Sequence, residues 1–115
     1  MKFSDAPVYL HREAVDFRKQ INGLSLIVQE GMAMDVFSES LFVFINRSRT
    51  RIKILYWQRN GFCLWMKRLE QDKFAWPKRM PKDIVDISTE ELHWLLEGFD
   101  IWHKPPHQRL HFNSV

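Results

Sequence analysis

The stretch 41–69, LFVFINRSRTRIKILYWQRNGFCLWMKRL, decides the fold class. Leu41-Phe42-Val43-Phe44-Ile45 is a continuous apolar run, short enough for a strand covered on both faces. Arg47 to Thr50 is a turn. From Arg51 to Trp57 the pattern alternates. Ile52, Ile54 and Tyr56 take one face, and Arg51, Lys53, Leu55 and Trp57 the other. Asn60-Gly61 is a hairpin signal, because both residues tolerate the positive φ of tight hairpin turns. Phe62 to Leu69 returns as a third strand. Lys73 to Trp76 reads as a short fourth, ended by Pro77. The centre of the chain is thus an antiparallel β-meander of three to four strands.

Working outward, Phe17, Ile21, Leu24 and Val28 recur at helical spacing and predict a helix from Asp16 to about Glu30. Asp16 suits its first turn and Gly31 its stop. Gly23 inside it implies close packing, and Arg18 and Lys19 fall off the apolar stripe. Val8-Tyr9-Leu10, after Pro7, reads as an edge strand. On the other side, Pro77 to Asp86 reads as a loop. Ser88-Thr89-Glu90-Glu91 is a capping box ahead of a second helix. Leu92, Leu95, Leu96 and Phe99 form that helix's buried stripe, and Gly98 ends it. The expectation is an α+β fold in which two helices pack the meander. Residues 1–102 form one domain, and 103–115 form a mobile tail containing Pro105 and Pro106.

With 115 residues the chain suits a single domain and can bury a real core. Its one cysteine, Cys63, excludes an internal disulfide and a Cys-rich zinc site. Mid-strand, it reads as an inert thiol. The first residues lack a signal peptide's apolar core, and no run is long enough to span a bilayer. A cytoplasmic protein is expected.

Catalytic signatures are missing from the sequence. No histidine forms a motif with Cys63. His103, His107 and His111 are spaced by four, but Pro105 and Pro106 argue against the helix that would align them on a metal. Asp16, Glu39, Glu70, Asp72 and Asp86 show no metal-gathering spacing, and no Gly-rich phosphate loop is present. The reading is a non-enzyme with no cofactor.

Net charge is only +3, yet Arg47, Arg49, Arg51, Lys53, Arg59, Lys67 and Arg68 follow one another with no acid among them. Arg47, Arg49, Arg51 and Lys53 fall at every second residue. An extended strand would put all four on one side, a stripe suited to phosphate. Tyr56, Trp57, Phe62, Trp65 and Trp76 lie nearby and suit the core, although exposed rings can stack on bases. The plainer reading of the stripe is a solvated sheet face.

Six segments in order carry a resemblance: Asp16-Phe17-Arg18-Lys19 with Asn22-Gly23-Leu24, Leu41 to Phe44, Arg51 to Trp57, Asn60 to Leu64, Lys67 to Glu70 followed by Lys73 to Pro77, and Leu92 with Leu96 to Asp100. Together they resemble the TnpB (Orf2-like) accessory proteins of a bacterial insertion-sequence family, the one numbered sixty-six. The resemblance covers about Val8 to Asp100. It implies a part in DNA transposition beside a separate transposase, and it carries over no catalytic residue. The chain departs where Arg47-Ser48-Arg49-Thr50 replaces a turn that often holds a Gly-Asp pair, and at Met66, where an aromatic is common.

The resulting expectation is a non-catalytic accessory factor. It binds DNA through Arg47, Arg49, Arg51 and Lys53, with Arg18, Lys19, Lys67 and Arg68 as lesser candidates. The alternative is an adaptor that docks on the transposase through an aromatic patch around Trp57 and Trp65 and never touches DNA. No membrane partner is expected, and the sequence does not fix an oligomeric state.

Overall fold

A computed structural model describes residues 3 and 5–103. The expected tail therefore lies outside the described residues, apart from His103. The elements in chain order are β1 (Val8–His11), α1 (Ile21–Leu26), β2 (Leu41–Ile45), β3 (Arg51–Gln58), β4 (Gly61–Arg68), β5 (Ile84–Ile87) and α2 (Thr89–Leu96). The strands form one sheet in the order β4-β3-β2-β1-β5. All neighbours are antiparallel except β1 and β2. The α+β class and the β2-β3-β4 meander are as the sequence predicts.

Both sheet faces are covered, which is why all of β2 is buried and apolar. One face packs Leu41, Val43, Ile52 and Ile54 against Leu92, Leu95 and Leu96 of α2. The other packs Phe42, Phe44 and Leu55 against Leu24 and Val28. The period-two alternation of β3 thus sorts its side chains as the sequence implies.

Four expectations need correction. Val8-Tyr9-Leu10 is not an edge. β1 sits inside the sheet between β2 and β5, and Ile84–Ile87, most of it within the loop expected from Pro77 to Asp86, is the edge strand on that side. Lys73 to Trp76 forms no strand. It crosses the α2 face as a strap, with Phe74 and Trp76 buried and the Trp76 indole N–H donating to the Arg12 carbonyl at 2.8 Å. The first helix starts at Ile21, not Asp16. The Asp16 side chain accepts the Arg18 N–H two residues on, so Asp16 closes its own small turn before the helix begins. Below Leu26 the helix widens into a π-helical segment, Ile27–Gly31, with the Met32 N–H on the Ile27 carbonyl.

Phe99 is the fourth. It is 62% exposed instead of completing the α2 stripe. The capping box is present, with Ser88 and Glu91 each accepting the other's backbone N–H. At the other end Gly98 adopts φ 100, Phe99 N–H donates to Trp94 and Gly98 N–H to Leu95. This left-handed glycine closure ends the helix and turns Phe99 outward. Ile101 takes the buried place that follows.

Candidate nucleic-acid interface

The β2–β3 turn is built by one side chain. Asn46 Oδ1 accepts the N–H groups of Thr50 and Arg51, each at 3.0 Å. Its amide nitrogen donates to the Ser48 and Thr50 hydroxyls. Arg49 sits at φ 62, a left-handed conformation that suits a glycine better than an arginine. The alternation that was to align four cations therefore starts only at Arg51, because Arg47 and Arg49 belong to the turn. They still converge, since the turn delivers both to the end of the sheet where β3 begins and β4 finishes.

Arg51 lies directly opposite Arg68 in the β3–β4 ladder. Two like charges at directly opposed positions work against sheet stability. Arg68 is partly compensated by Glu70, whose carboxylate accepts from its Nε at 2.9 Å. The strap adds a further cation, which the sequence reading did not single out. Phe74 N–H donates to the Arg49 carbonyl at 2.7 Å, so exposed Lys73 stands next to the arginine turn. Their separation in sequence hides this proximity.

Arg47 also lines a shallow depression with Asn46, Ala14, Val15, Asp16 and Arg18. Arg18 is 91% exposed, but its guanidinium is held by both Asp16 oxygens, at 2.7 Å for the closest approach. Those bonds hold the Asp16 carboxyl down to about 2. Lys19 is exposed, and its aliphatic stem would lie 3.0 Å from a Cβ at position 23, which explains the glycine there.

Two predicted lysines are committed elsewhere. Lys53 is only 4% exposed. Its Nζ donates to the carbonyls of Phe17 and Lys19, both at 2.9 Å, and lies 4.8 Å from the centre of the Phe17 ring. Burial, with Arg51 alongside, pushes its pKa down. Lys67 is on the opposite sheet face and donates to the Leu96 carbonyl at 2.8 Å, capping the C-terminus of α2. Replacing Lys53 with methionine strands two carbonyls, so we expect a loss of about 1–3 kcal/mol in urea unfolding. The same variant should bind DNA as the parent does. A binding loss larger than the folding loss would restore Lys53 to the interface.

The aromatics divide between faces. Trp57 faces α1 and packs edge-on against Phe37 and Phe62, with centroids 5.1 and 4.9 Å away. Trp65 faces α2 and meets Phe3 at 6.1 Å. The single patch imagined around Trp57 and Trp65 therefore does not form. Cys63 is half-buried, 3.6 Å from the Gln58 side-chain oxygen. No three His, Cys, Asp or Glu side chains gather to hold a metal among the described residues. No helix among them is long and apolar enough to cross a membrane.

The profile of the family described as "IS66 Orf2 like protein" matches residues 6–106. Two proteins of Sinorhizobium fredii (strain NBRC 101917 / NGR234) are similar to the chain. One, "Uncharacterized protein y4hO", is 35% identical over 98 residues, covering 85% of this chain and 84% of the relative. The other, "Uncharacterized protein y4jC", is 33% identical over 88 residues, covering 76% and 74%. No solved structure matches. The match spans both helices, all five strands and the arginine turn, and on that ground the chain belongs to the IS66 Orf2-like (TnpB) family, which ties it to insertion-sequence transposition.

Proposed function

We propose that the protein is a non-catalytic accessory factor of transposition that holds DNA by its phosphate backbone at the arginine end of the sheet. The observation that carries this reading is the gathering of Arg47, Arg49, Arg51 and Arg68 at one end, with Arg51 set opposite Arg68. Glu70 on Arg68 offsets only part of the repulsion in that like-charge pair, whereas a polyanion lying across both arginines relieves the rest. Lys73 extends the patch, and Arg18 and Lys19 flank it. Lys53 and Lys67 take no part, since their amines already serve backbone carbonyls. Contacts of this type grip the backbone and carry little sequence preference. The element's transposase is the partner this function needs, since sequence selection and strand chemistry must come from elsewhere.

Fluorescence anisotropy with labelled duplex and single-stranded DNA across a salt series tests the proposal. Three to five phosphate contacts predict a log–log slope between about −3 and −4.5 on duplex DNA. Failure to bind at low salt removes DNA as the ligand and leaves docking on the transposase as the working function.

A further inference from the structure

Among the described residues, the outer flank of β4 has no partner strand. Native sheets blunt their edges with short strands, prolines, bulges or covering segments. The opposite edge follows that rule: β5 has four residues, follows Pro81 closely and carries Asp86. β4 has eight residues, holds register with β3 at every one, contains no proline, and keeps its charges, Lys67 and Arg68, at its last two positions. On the α1 face the same flank shows exposed apolar side chains: Met66 at 53%, and Phe37, 52% exposed, against the Phe62 ring.

The ladder's phase tells which backbone groups are free. Leu69 N–H donates to the Thr50 carbonyl at 2.8 Å. Alternation along an antiparallel pair then turns Cys63, Trp65 and Lys67 toward β3, and Phe62, Leu64, Met66 and Arg68 outward. The outward set is also the set whose side chains lie on the α1 face. A strand added here gains hydrogen bonds from these four residues and apolar contact from Phe62, Leu64 and Met66.

We propose that the occupant is β4 of a second copy of this chain, paired antiparallel about a twofold axis at Trp65. The two five-stranded sheets then become one continuous sheet with both α1 helices on the same side. In this register Leu64 lies opposite the second copy's Met66, and Phe62 lies opposite its Arg68, placing a guanidinium against a ring. Charge also favours the antiparallel sense. Arg59 precedes the strand and Glu70 follows it, so pairing brings Glu70 of each copy opposite Asn60 of the other, beside Arg59. Parallel pairing would instead set Lys67 and Arg68 against themselves. The dimer carries two arginine ends on one face, with the two Arg68 positions about 20 Å apart along the strands.

Sedimentation equilibrium of the full-length chain, without DNA, tests this. The parent is expected to show a concentration-dependent monomer–dimer equilibrium. Met66→Lys raises the dimer dissociation constant about tenfold or more, since an ammonium must be buried between copies. Arg59→Glu weakens the dimer by setting acid against Glu70, and Arg59→Glu with Glu70→Arg restores it. Circular dichroism of each variant checks the fold. If Met66→Lys does not fold, the charge exchange decides alone. A chain that stays monomeric at all concentrations overturns the proposal. So does a dimer indifferent to the charge exchange.

Discussion

Changing Arg49 and Arg51 together to glutamate lowers duplex DNA affinity about a hundredfold at low salt and makes the salt dependence shallower by about two units of slope. The same change leaves the fold intact. Arg51→Glu converts the like-charged cross-strand pair with Arg68 into an opposite-charged one, worth a gain of about 0.2–1 kcal/mol. Arg49 keeps its left-handed backbone, which is no harder for glutamate than for arginine. Stability and binding therefore move in opposite directions, a combination that general misfolding cannot imitate. Thermal unfolding and anisotropy on one preparation read both. A variant that melts normally and binds as tightly as the parent would falsify the assignment of these arginines to DNA.

Phe74→Ala has the largest expected effect on stability. Its ring is 2% exposed within the core on the α2 face, and truncation costs about 3–5 kcal/mol. That is a large share of the about 5–15 kcal/mol that domains of this kind possess. The damage should reach the arginine turn as well, because the strap is tied there through the Phe74 N–H on the Arg49 carbonyl. Phe99→Ala is the control: its ring faces solvent, so its unfolding midpoint in urea should scarcely move. If instead the two variants lose equal stability, Phe99 packs on α2 as its helical spacing implies, and the Gly98 closure does not turn it outward.

The elements that could be read from the chain are those whose pattern is local. The β2-β3-β4 meander follows from an apolar run, an alternating run and a two-residue turn. The α2 boundaries follow from Ser88, Glu91 and Gly98, each acting within five residues of its hydrogen-bond partners. Even there the turn slips by one residue. Gln58 pairs with Gly61, so Arg59 and Asn60 make the bend, and Arg59 carries the positive φ of 56. Gly61 is already in the strand, and the dipeptide signal cannot say which of its neighbours shares the turn. β5 carries no local signal, because Ile84-Val85-Asp86-Ile87 is short and follows two prolines. Pairing with β1 makes it a strand, and nothing within the segment does so.

The candidate site divides the same way. That the middle of the chain is basic and belongs with an insertion-sequence family was legible in residue order alone. Which cations can reach a ligand was not. Lys53 and Arg51 are two residues apart on one sheet face, yet Lys53 lies under the chain at Phe17 and Lys19 while Arg51 stands in solvent. Lys67 and Arg68 are adjacent, yet the pleat sends one to cap α2 and the other to the arginine cluster. The sequence by itself determined the kinds and amounts of charge, the strand periods and the helix caps, because these act over a few bonds. Only the tertiary structure decided which charges remain free, because burial and carbonyl partners are set by segments far apart in sequence that meet only when the sheet and its helices close.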